Sequence, residues 1–324
     1  MRAMKRLLSK KNLCISAAVI AVYALVQALF SAGVLRTFHE VNFITGCIGI
    51  IMAVSLNLIT GFTGQFTLGH AGFMAIGAYF SAVMTVKWGV FFPISLFCGG
   101  VLAALFGVLI GLPTLRLKGD YLAIATLGFG EVIRVVLLNT KYVGGASGFF
   151  GIPRLINWTW AFFIMVIAVV VIRNLLWSSY GRACISIRED EIASELMGID
   201  ITKYKVLAFT VGAFFAGLGG AIYSHYFYGM QPGTFNFMKS IDYLVMVVLG
   251  GMGSITGSVL AAVALTAINV VLQQYSDIRM ILYALLLIVI MIFRPQGLMG
   301  SRELSVNMFR KLKRGEKNGA VGSK

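Results

Sequence analysis

Residues 56–79 read LNLITGFTGQFTLGHAGFMAIGAY, and this stretch decides the fold. Its ends are apolar enough to enter a membrane, but glycines and polar side chains interrupt its middle. Backbone that is not helical at membrane depth is tolerated only where it is buried in protein or lines a wet cavity. The stretch therefore predicts a broken membrane span beside a possible pathway. The interrupting residues are Gly61, Gly64, Gln65, Gly69 and His70.

The composition is that of an integral membrane protein. The chain has 324 residues, of which 59% are hydrophobic and 12% are charged. A soluble domain of this length would not tolerate such a surface. The chain has 37 glycines and five prolines. Small residues let helix backbones approach each other in lipid, so tight helix packing is the expected role of most of these glycines.

Apolar runs predict an all-α transmembrane bundle of about ten spans. The candidates are 13–33, 41–60, 71–86, 90–112, 119–139, 158–177, 206–227, 240–250, 257–273 and 279–293. Three of these runs are too short to cross unaided, so the expected number is eight to ten. The first run follows a basic start but is long for a signal peptide and lacks a cleavage pattern, so we expect a retained span.

The net charge of +15 is concentrated in a few segments. With the N-terminus inside, most of the 27 Lys and Arg residues fall on the inner side, as the positive-inside rule requires. This orientation predicts a cytoplasmic N-terminus at 1–12, a membrane domain at 13–293 and a cytoplasmic tail at 294–324. The basic tail would lie near anionic membrane lipid. The charge therefore does not indicate a nucleic-acid partner.

A second glycine-rich interruption lies in LVMVVLGGMGSITGSVLAAVAL at residues 244–265. One interrupted segment in each half of a chain is the pattern of repeats that meet at a midplane site. Five plus five spans would make the repeat inverted. We expect the glycines of this segment to line the same pathway as the first interruption. They are Gly250, Gly251, Gly253 and Gly257.

The long hydrophilic stretch at 178–205 lies on the cytoplasmic side in this topology. Ser186 and Glu189 have the spacing of a capping box, which predicts one helix that starts there and ends at Gly198. A helix resting on the membrane surface is one alternative, although such helices are usually basic. The acidic composition favours a lever, residues 182–198, that docks into another protein. Its assigned residues are Arg182, Arg188, Glu189, Asp190, Glu191, Glu195 and Gly198.

Two other polar segments, the Glu131–Arg134 pair and the connection at 140–157, are expected to have structural roles. Glu131 and Arg134 are one helical turn apart, so a structural pair is expected and a proton relay is the alternative. The connection at 140–157 is the largest outer loop, and its composition favours a mobile connector over a docking surface.

The four cysteines show neither a metal spacing nor a disulfide framework. No phosphate-binding loop is visible, so we expect no catalytic residue, metal or cofactor, and any ATP must be bound by another chain.

Four ordered motifs together resemble the LivM-type permease subunit of branched-chain amino acid ABC importers. They are GFTGQFTLGHAGFMAIGAY, GRACISIREDEIASELMGIDITKYKVLAF, LGGMGSITGSVLAA and RPQGLMG, and the similarity covers about 41–300. The resemblance implies a homologous sister permease, two cytoplasmic ATP-binding subunits, an external solute-binding protein and an amino acid substrate. It also implies a location in the bacterial inner membrane and a heterodimer of the two permeases, whereas the sequence alone leaves open whether they form a heterodimer or a homodimer.

The resemblance further implies that the lever is the coupling helix that contacts an ATPase subunit. Glu191 lies seven residues before Gly198, whereas the E-A-A-x-x-x-G signature of many importers has a separation of six. The glycine-rich interruptions, with Gln65 and His70, would lie near the translocation pathway.

Three classes of function follow from these patterns. The first is a permease subunit of an ATP-driven importer that works by alternating access, for branched-chain amino acids or another solute such as urea. The second is a secondary transporter, which should carry a coupling carboxylate at membrane depth. The third is a membrane enzyme, which would need a nucleophile or a metal cluster there, and the sequence shows none.

Overall fold

The computed structural model describes residues 10–32, 37–114, 117, 119–271, 285, 288, 292 and 297–300. The described chain is mostly helical, which confirms the all-α class. By its internal contacts the chain divides into two units, and the larger unit is Phe43–Arg302. This unit holds every residue assigned to the pathway and to the lever.

Helices follow one another along the described chain. They are α1 (Lys10–Ser31), α2 (Thr37–Asn57), α3 (His70–Val86), α4 (Phe92–Thr114), α5 (Asp120–Asn139), α6 (Trp158–Trp177), α7 (Ser179–Glu189), α8 (Glu191–Leu196), α9 (Ile201–Tyr226), α10 (Phe237–Gly250) and α11 (Ile255–Val271). Short helical turns occupy Leu58–Phe62, Lys141–Val143, Gly145–Ser147 and Pro232–Phe235. Two short strands, β1 (Phe149–Phe150) and β2 (Gly229–Met230), pair antiparallel.

Five helical segments of the described chain are long and apolar enough to span a membrane. They are Phe38–Phe62, Phe92–Pro113, Asp120–Asn139, Trp158–Trp177 and Ile201–Tyr226. Each predicted span from 13–33 to 257–273 coincides with a helix. Most of the last predicted span and of the two basic terminal segments lies outside the described residues. The number of ten spans and the inverted repeat therefore stay predictions.

Helix α9 packs along both α3 and α4 in the larger unit. Glycines allow this close approach, because a Cβ atom on Gly220 would overlap the backbone oxygen of Met74. A Cβ atom on Gly77 would likewise overlap the backbone of Gly217. These glycines have the packing role that the composition predicts.

The connection at 140–157 is fixed by backbone hydrogen bonds. Phe149 of β1 lies opposite Met230 of β2. The backbone N–H of Ile152 donates to the carbonyl of Tyr228 at 3.2 Å. These bonds hold the loop against the segment that follows α9, which differs from the mobile connector that its composition favours.

Candidate functional site

The first interruption begins as a widened helical turn. Helix α2 ends at Asn57, and a π-helical turn continues it over Leu58–Phe62. Residues 63–69 are not helical, and α3 then starts at His70. Gly64 has a φ of +75°, in the region that glycine adopts without steric cost. The predicted break in this stretch is therefore present.

The second interruption separates α10 from α11. Gly251 and Gly253, which lie between these helices, have φ values of +107° and +86°. Gly257 lies inside α11, where a Cβ atom would overlap the backbone of Gly250. Two of the four predicted glycines thus shape the turn, and the other two let α10 and α11 approach each other.

Asn57 holds the two interruptions together. Its side-chain nitrogen donates to the carbonyl of Ser254 at 2.9 Å and to the hydroxyl of Ser258 at 2.8 Å. Its side-chain oxygen accepts from the backbone N–H of Gly253 at 2.9 Å. Gly61 leaves room for this contact, because a Cβ atom there would lie 2.5 Å from the nitrogen of Gly253. Asn57 was not predicted as a site residue, although an amide within an apolar run was a signal for it.

Gln65 carries a buried side-chain amide beside the first interruption. The residue is 2% exposed, and neither its side-chain oxygen nor its side-chain nitrogen has a hydrogen-bond partner within the described chain. Its backbone is fixed, because its N–H donates to the carbonyl of Ile59 at 3.1 Å. Burying an amide without a hydrogen bond costs about 2–7 kcal/mol, so such a group is typical of a site for a polar ligand.

His70 joins α3 to α2 across the first interruption. Its Nε2 atom lies 2.8 Å from the hydroxyl of Ser55, and its Nδ1 atom has no partner within the described chain. The preceding Gly69 packs against α5, where a Cβ atom would overlap the backbone oxygen of Thr126. His70 is therefore a buried neighbour of the break, and Gly69 is a packing residue.

The hydrophilic segment folds as two helices, α7 and α8, and the prediction of one helix is wrong. Asp190 lies between them, and its carboxylate caps α8 by accepting from the N–H of Ala193 at 3.0 Å. Ser186 lies inside α7, with its hydroxyl 2.8 Å from that of Ser194. The predicted capping box of Ser186 and Glu189 is therefore wrong as well. Aspartate caps as readily as serine, so spacing alone did not identify the cap.

Most charged side chains of the lever bind within this chain. Glu191 forms an ion pair with Lys205 of α9. Arg188 forms an ion pair with Glu189, the next residue. Arg182 donates to a backbone carbonyl at the end of α6, at 3.2 Å. These residues share the lever, but the structure gives them internal partners.

Helix α8 exposes an apolar surface. Ile192, Leu196 and Met197 are 71%, 82% and 83% exposed. Glu195 is exposed beside them, and Gly198 follows with a φ of +82°. Adjacent exposed apolar side chains of this size are typical of a protein interaction site.

Arg188 connects the lever to both interruptions. Its Nη1 atom donates to the carbonyl of Gly61 at 2.8 Å. A Cβ atom on Gly64 would lie 3.1 Å from its Cγ atom, and one on Gly253 would lie 2.6 Å from Nη1. Residues predicted for the pathway and residues predicted for the lever therefore meet at one place.

Cys184 lies on the buried side of α7, against the first interruption. Its thiol lies beside the side chain of Thr63 and donates to the carbonyl of Tyr204 at 3.8 Å. Burial raises the pKa of the Cys184 thiol above its ordinary value, so the thiol stays protonated at neutral pH.

Glu131 and Arg134 form an ion pair within α5. Nε of Arg134 lies 2.6 Å from a carboxylate oxygen of Glu131, which confirms the predicted pair. Among the described residues, no group of three or more His, Cys, Asp or Glu side chains could hold a metal ion.

Similarity to known proteins identifies the family of this chain. Residues 42–293 match the family described as the branched-chain amino acid transport system permease component. The chain is 36% identical over 285 residues to the high-affinity branched-chain amino acid transport system permease protein LivM of Salmonella typhimurium, which covers 77% of this chain and 67% of that protein. It is 28% identical over 185 residues to LivH of the same organism, covering 55% of this chain and 59% of LivH. No solved structure matches. The chain therefore belongs to the branched-chain amino acid transport system permease family.

Proposed function

We propose that this chain is a permease subunit of an ATP-driven importer. It would carry branched-chain or related amino acids across the bacterial inner membrane by alternating access. LivM and LivH of Salmonella typhimurium are both described as permease proteins of a high-affinity branched-chain amino acid transport system. Similarity to both supports pairing with a homologous sister permease, each subunit lining part of one pathway.

The observation that carries the proposal is the junction of the two interruptions with the lever. Asn57 binds Gly253 across the interruptions, and Arg188 of the lever binds Gly61. A pathway that opens and closes needs backbone that can change conformation, and non-helical glycine turns supply it. A lever bound to that backbone is a means of driving the change.

The lever would receive its movement from a separate ATP-binding subunit. The exposed apolar side chains of α8, with Glu195, form the surface proposed for this contact. Two ATP-binding subunits would serve the two permeases. In this orientation both termini are cytoplasmic, and the outer loop at 140–157 faces the external solute-binding protein.

Within the pathway, Gln65 is the side chain proposed to bind the solute. Its buried amide offers both a donor and an acceptor, which suits the carboxylate and ammonium groups of an amino acid. Gly64, Gly251 and Gly253 would provide the mobile backbone. Gly61, Gly69, Gly250 and Gly257 would keep the surrounding backbones close, with His70 between α2 and α3.

A secondary transporter of small polar solutes is the alternative. It would require a carboxylate that binds the coupling ion at membrane depth. Glu131, the acidic residue considered for that role, is already paired with Arg134. The family relationship and the lever both favour the ATP-driven importer.

The proposal is tested by purifying the tagged chain from its own membrane in mild detergent. We expect a second permease of the same family and ATP-binding subunits to accompany it, with ATP hydrolysis by the purified complex. The control is a double variant of α8, Ile192→Asp with Leu196→Asp, which should keep the sister permease and lose the ATP-binding subunits. A chain that transports amino acids without any ATP-binding subunit would contradict the proposal.

A further inference from the structure

We infer that Arg188 is a latch, through which the lever holds both interruptions in place. The inference rests on the proposed transport function and deepens it. Arg188 would act inside this chain as a positioning residue, and not at the surface of an ATP-binding subunit. Movement of the lever would release the latch and free the interruptions to change conformation.

The acceptor of the latch is a carbonyl at the end of a helix. Gly61 belongs to the turn that continues α2, and the last four carbonyls of a helix have no partner within it. Nη1 of Arg188 satisfies this carbonyl at 2.8 Å. A guanidinium also brings positive charge to the end of a helix where the dipole is negative, which stabilises the contact.

The space for the guanidinium is provided by glycines of both interruptions. A Cβ atom on Gly253 would lie 2.6 Å from Nη1 of Arg188, and one on Gly64 would lie 3.1 Å from its Cγ atom. A side chain at either position would therefore push against Arg188. One arginine thus contacts the first interruption by a hydrogen bond and the second by close packing.

The charge of the latch is balanced within the lever. Arg188 donates from Nε to a carboxylate oxygen of Glu189 at 3.1 Å and pairs with the same carboxylate through Nη2. The fork of guanidinium donors allows this division between a carbonyl and a carboxylate. A lysine carries a single compact ammonium group. It would satisfy either the carbonyl of Gly61 or the carboxylate of Glu189 more readily than both together.

The surrounding contacts form two groups, which the latch joins. Ser186 binds Ser194 and Glu191 binds Lys205, so α7, α8 and the start of α9 are tied to one another. Asn57 ties the two interruptions together. Arg188 joins these groups, so displacement of the lever would act on both interruptions at once.

A second contact offers a direct way to fix the latch. The thiol of Cys184 lies beside the side chain of Thr63, which immediately follows the π-helical turn. In a Thr63→Cys variant, oxidation should link the new thiol to the native Cys184. The disulfide would hold the lever against the first interruption.

The cross-linking test uses the complete complex in proteoliposomes. Oxidation of Thr63→Cys should lower amino acid uptake at least 10-fold, and dithiothreitol should restore it. The control is Thr63→Cys with Cys184→Ser, in which oxidation should leave uptake unchanged. Wild-type uptake by the cross-linked complex, or failure of the resting complex to cross-link, would overturn the inference.

Substitution of Arg188 tests the latch by removing its guanidinium group. Arg188→Gln should lower uptake about 10-fold while ATP hydrolysis stays within about twofold, since one charge-assisted hydrogen bond is lost. Arg188→Lys should recover part of the uptake, and Arg173→Gln on α6 is the matched control. Normal uptake per ATP by Arg188→Gln would overturn the latch. Absence of ATP-driven uptake by the wild-type complex would instead overturn the proposed function.

Discussion

Asn57 accepts a hydrogen bond from the backbone N–H of Gly253, which lies 196 residues further along the chain. The bond joins the end of α2 to the turn between α10 and α11. Because Asn57 also donates to Ser254 and Ser258, a single buried side chain satisfies three groups of the second interruption. The two glycine-rich segments are therefore one structural unit.

Removal of the Asn57 amide should destabilise this unit. In Asn57→Ala, the buried N–H of Gly253 loses its partner and the hydroxyl of Ser258 keeps only its bond to Ser254, which should cost about 3 kcal/mol. Thermal unfolding of the purified chain in detergent measures this cost. The matched control is Asn139→Ala, whose amide makes an exposed bond to its own helix and should change stability by less than about 0.5 kcal/mol. Equal effects of the two substitutions would contradict the role of Asn57.

Substitution of Gln65 should separate solute binding from stability. Its buried amide has no hydrogen-bond partner among the described residues, so Gln65→Met removes an unsatisfied group and should leave the unfolding temperature unchanged or higher. Uptake of the solute should fall about 10-fold if the amide binds it. Uptake within twofold of wild type would show that Gln65 has only a structural role in the first interruption.

The ion pair of Glu191 and Lys205 should behave as an internal contact. Glu191→Lys alone should cost about 1–2 kcal/mol, because it leaves Lys205 without its partner in a partly buried place. Adding Lys205→Glu should restore most of the stability. Glu195→Lys, on the exposed surface, should leave stability unchanged and weaken coupling to ATP hydrolysis. No recovery in the double variant would argue against the pair.

Cys184 should react slowly with maleimide at neutral pH. Burial raises its thiol pKa, so the thiolate fraction at pH 7 is smaller than that of an ordinary cysteine. Labelling should therefore accelerate as the pH rises towards the raised pKa, and also when nucleotide binding moves the lever. Mass spectrometry of the labelled peptide measures the rate, with Cys184→Ser as the control. Rapid labelling of the resting complex at pH 7 would show that the thiol is not buried against the interruption.

The sequence predicted local features of this protein better than its long-range contacts. Apolar runs located the helices, and Gly64 and Gly253 marked turns, because these signals depend on neighbouring residues. The bond of Asn57 to Gly253 could not be predicted, since its partners are far apart in the chain. The bond of Arg188 to Gly61 could not be predicted for the same reason, and the sequence assigned Arg188 only to a lever that docks into another protein. The motif resemblance identified the family, but it did not reveal that the lever binds the interruptions.

The most direct test of the account is the accumulation of labelled leucine in proteoliposomes that contain the complete complex. Isoleucine, valine and urea are compared under the same conditions, with the solute-binding protein outside. We predict accumulation of a branched-chain amino acid that requires ATP hydrolysis and stops when the ATP-binding subunits are omitted. Accumulation driven by an ion gradient, without those subunits, would contradict the account.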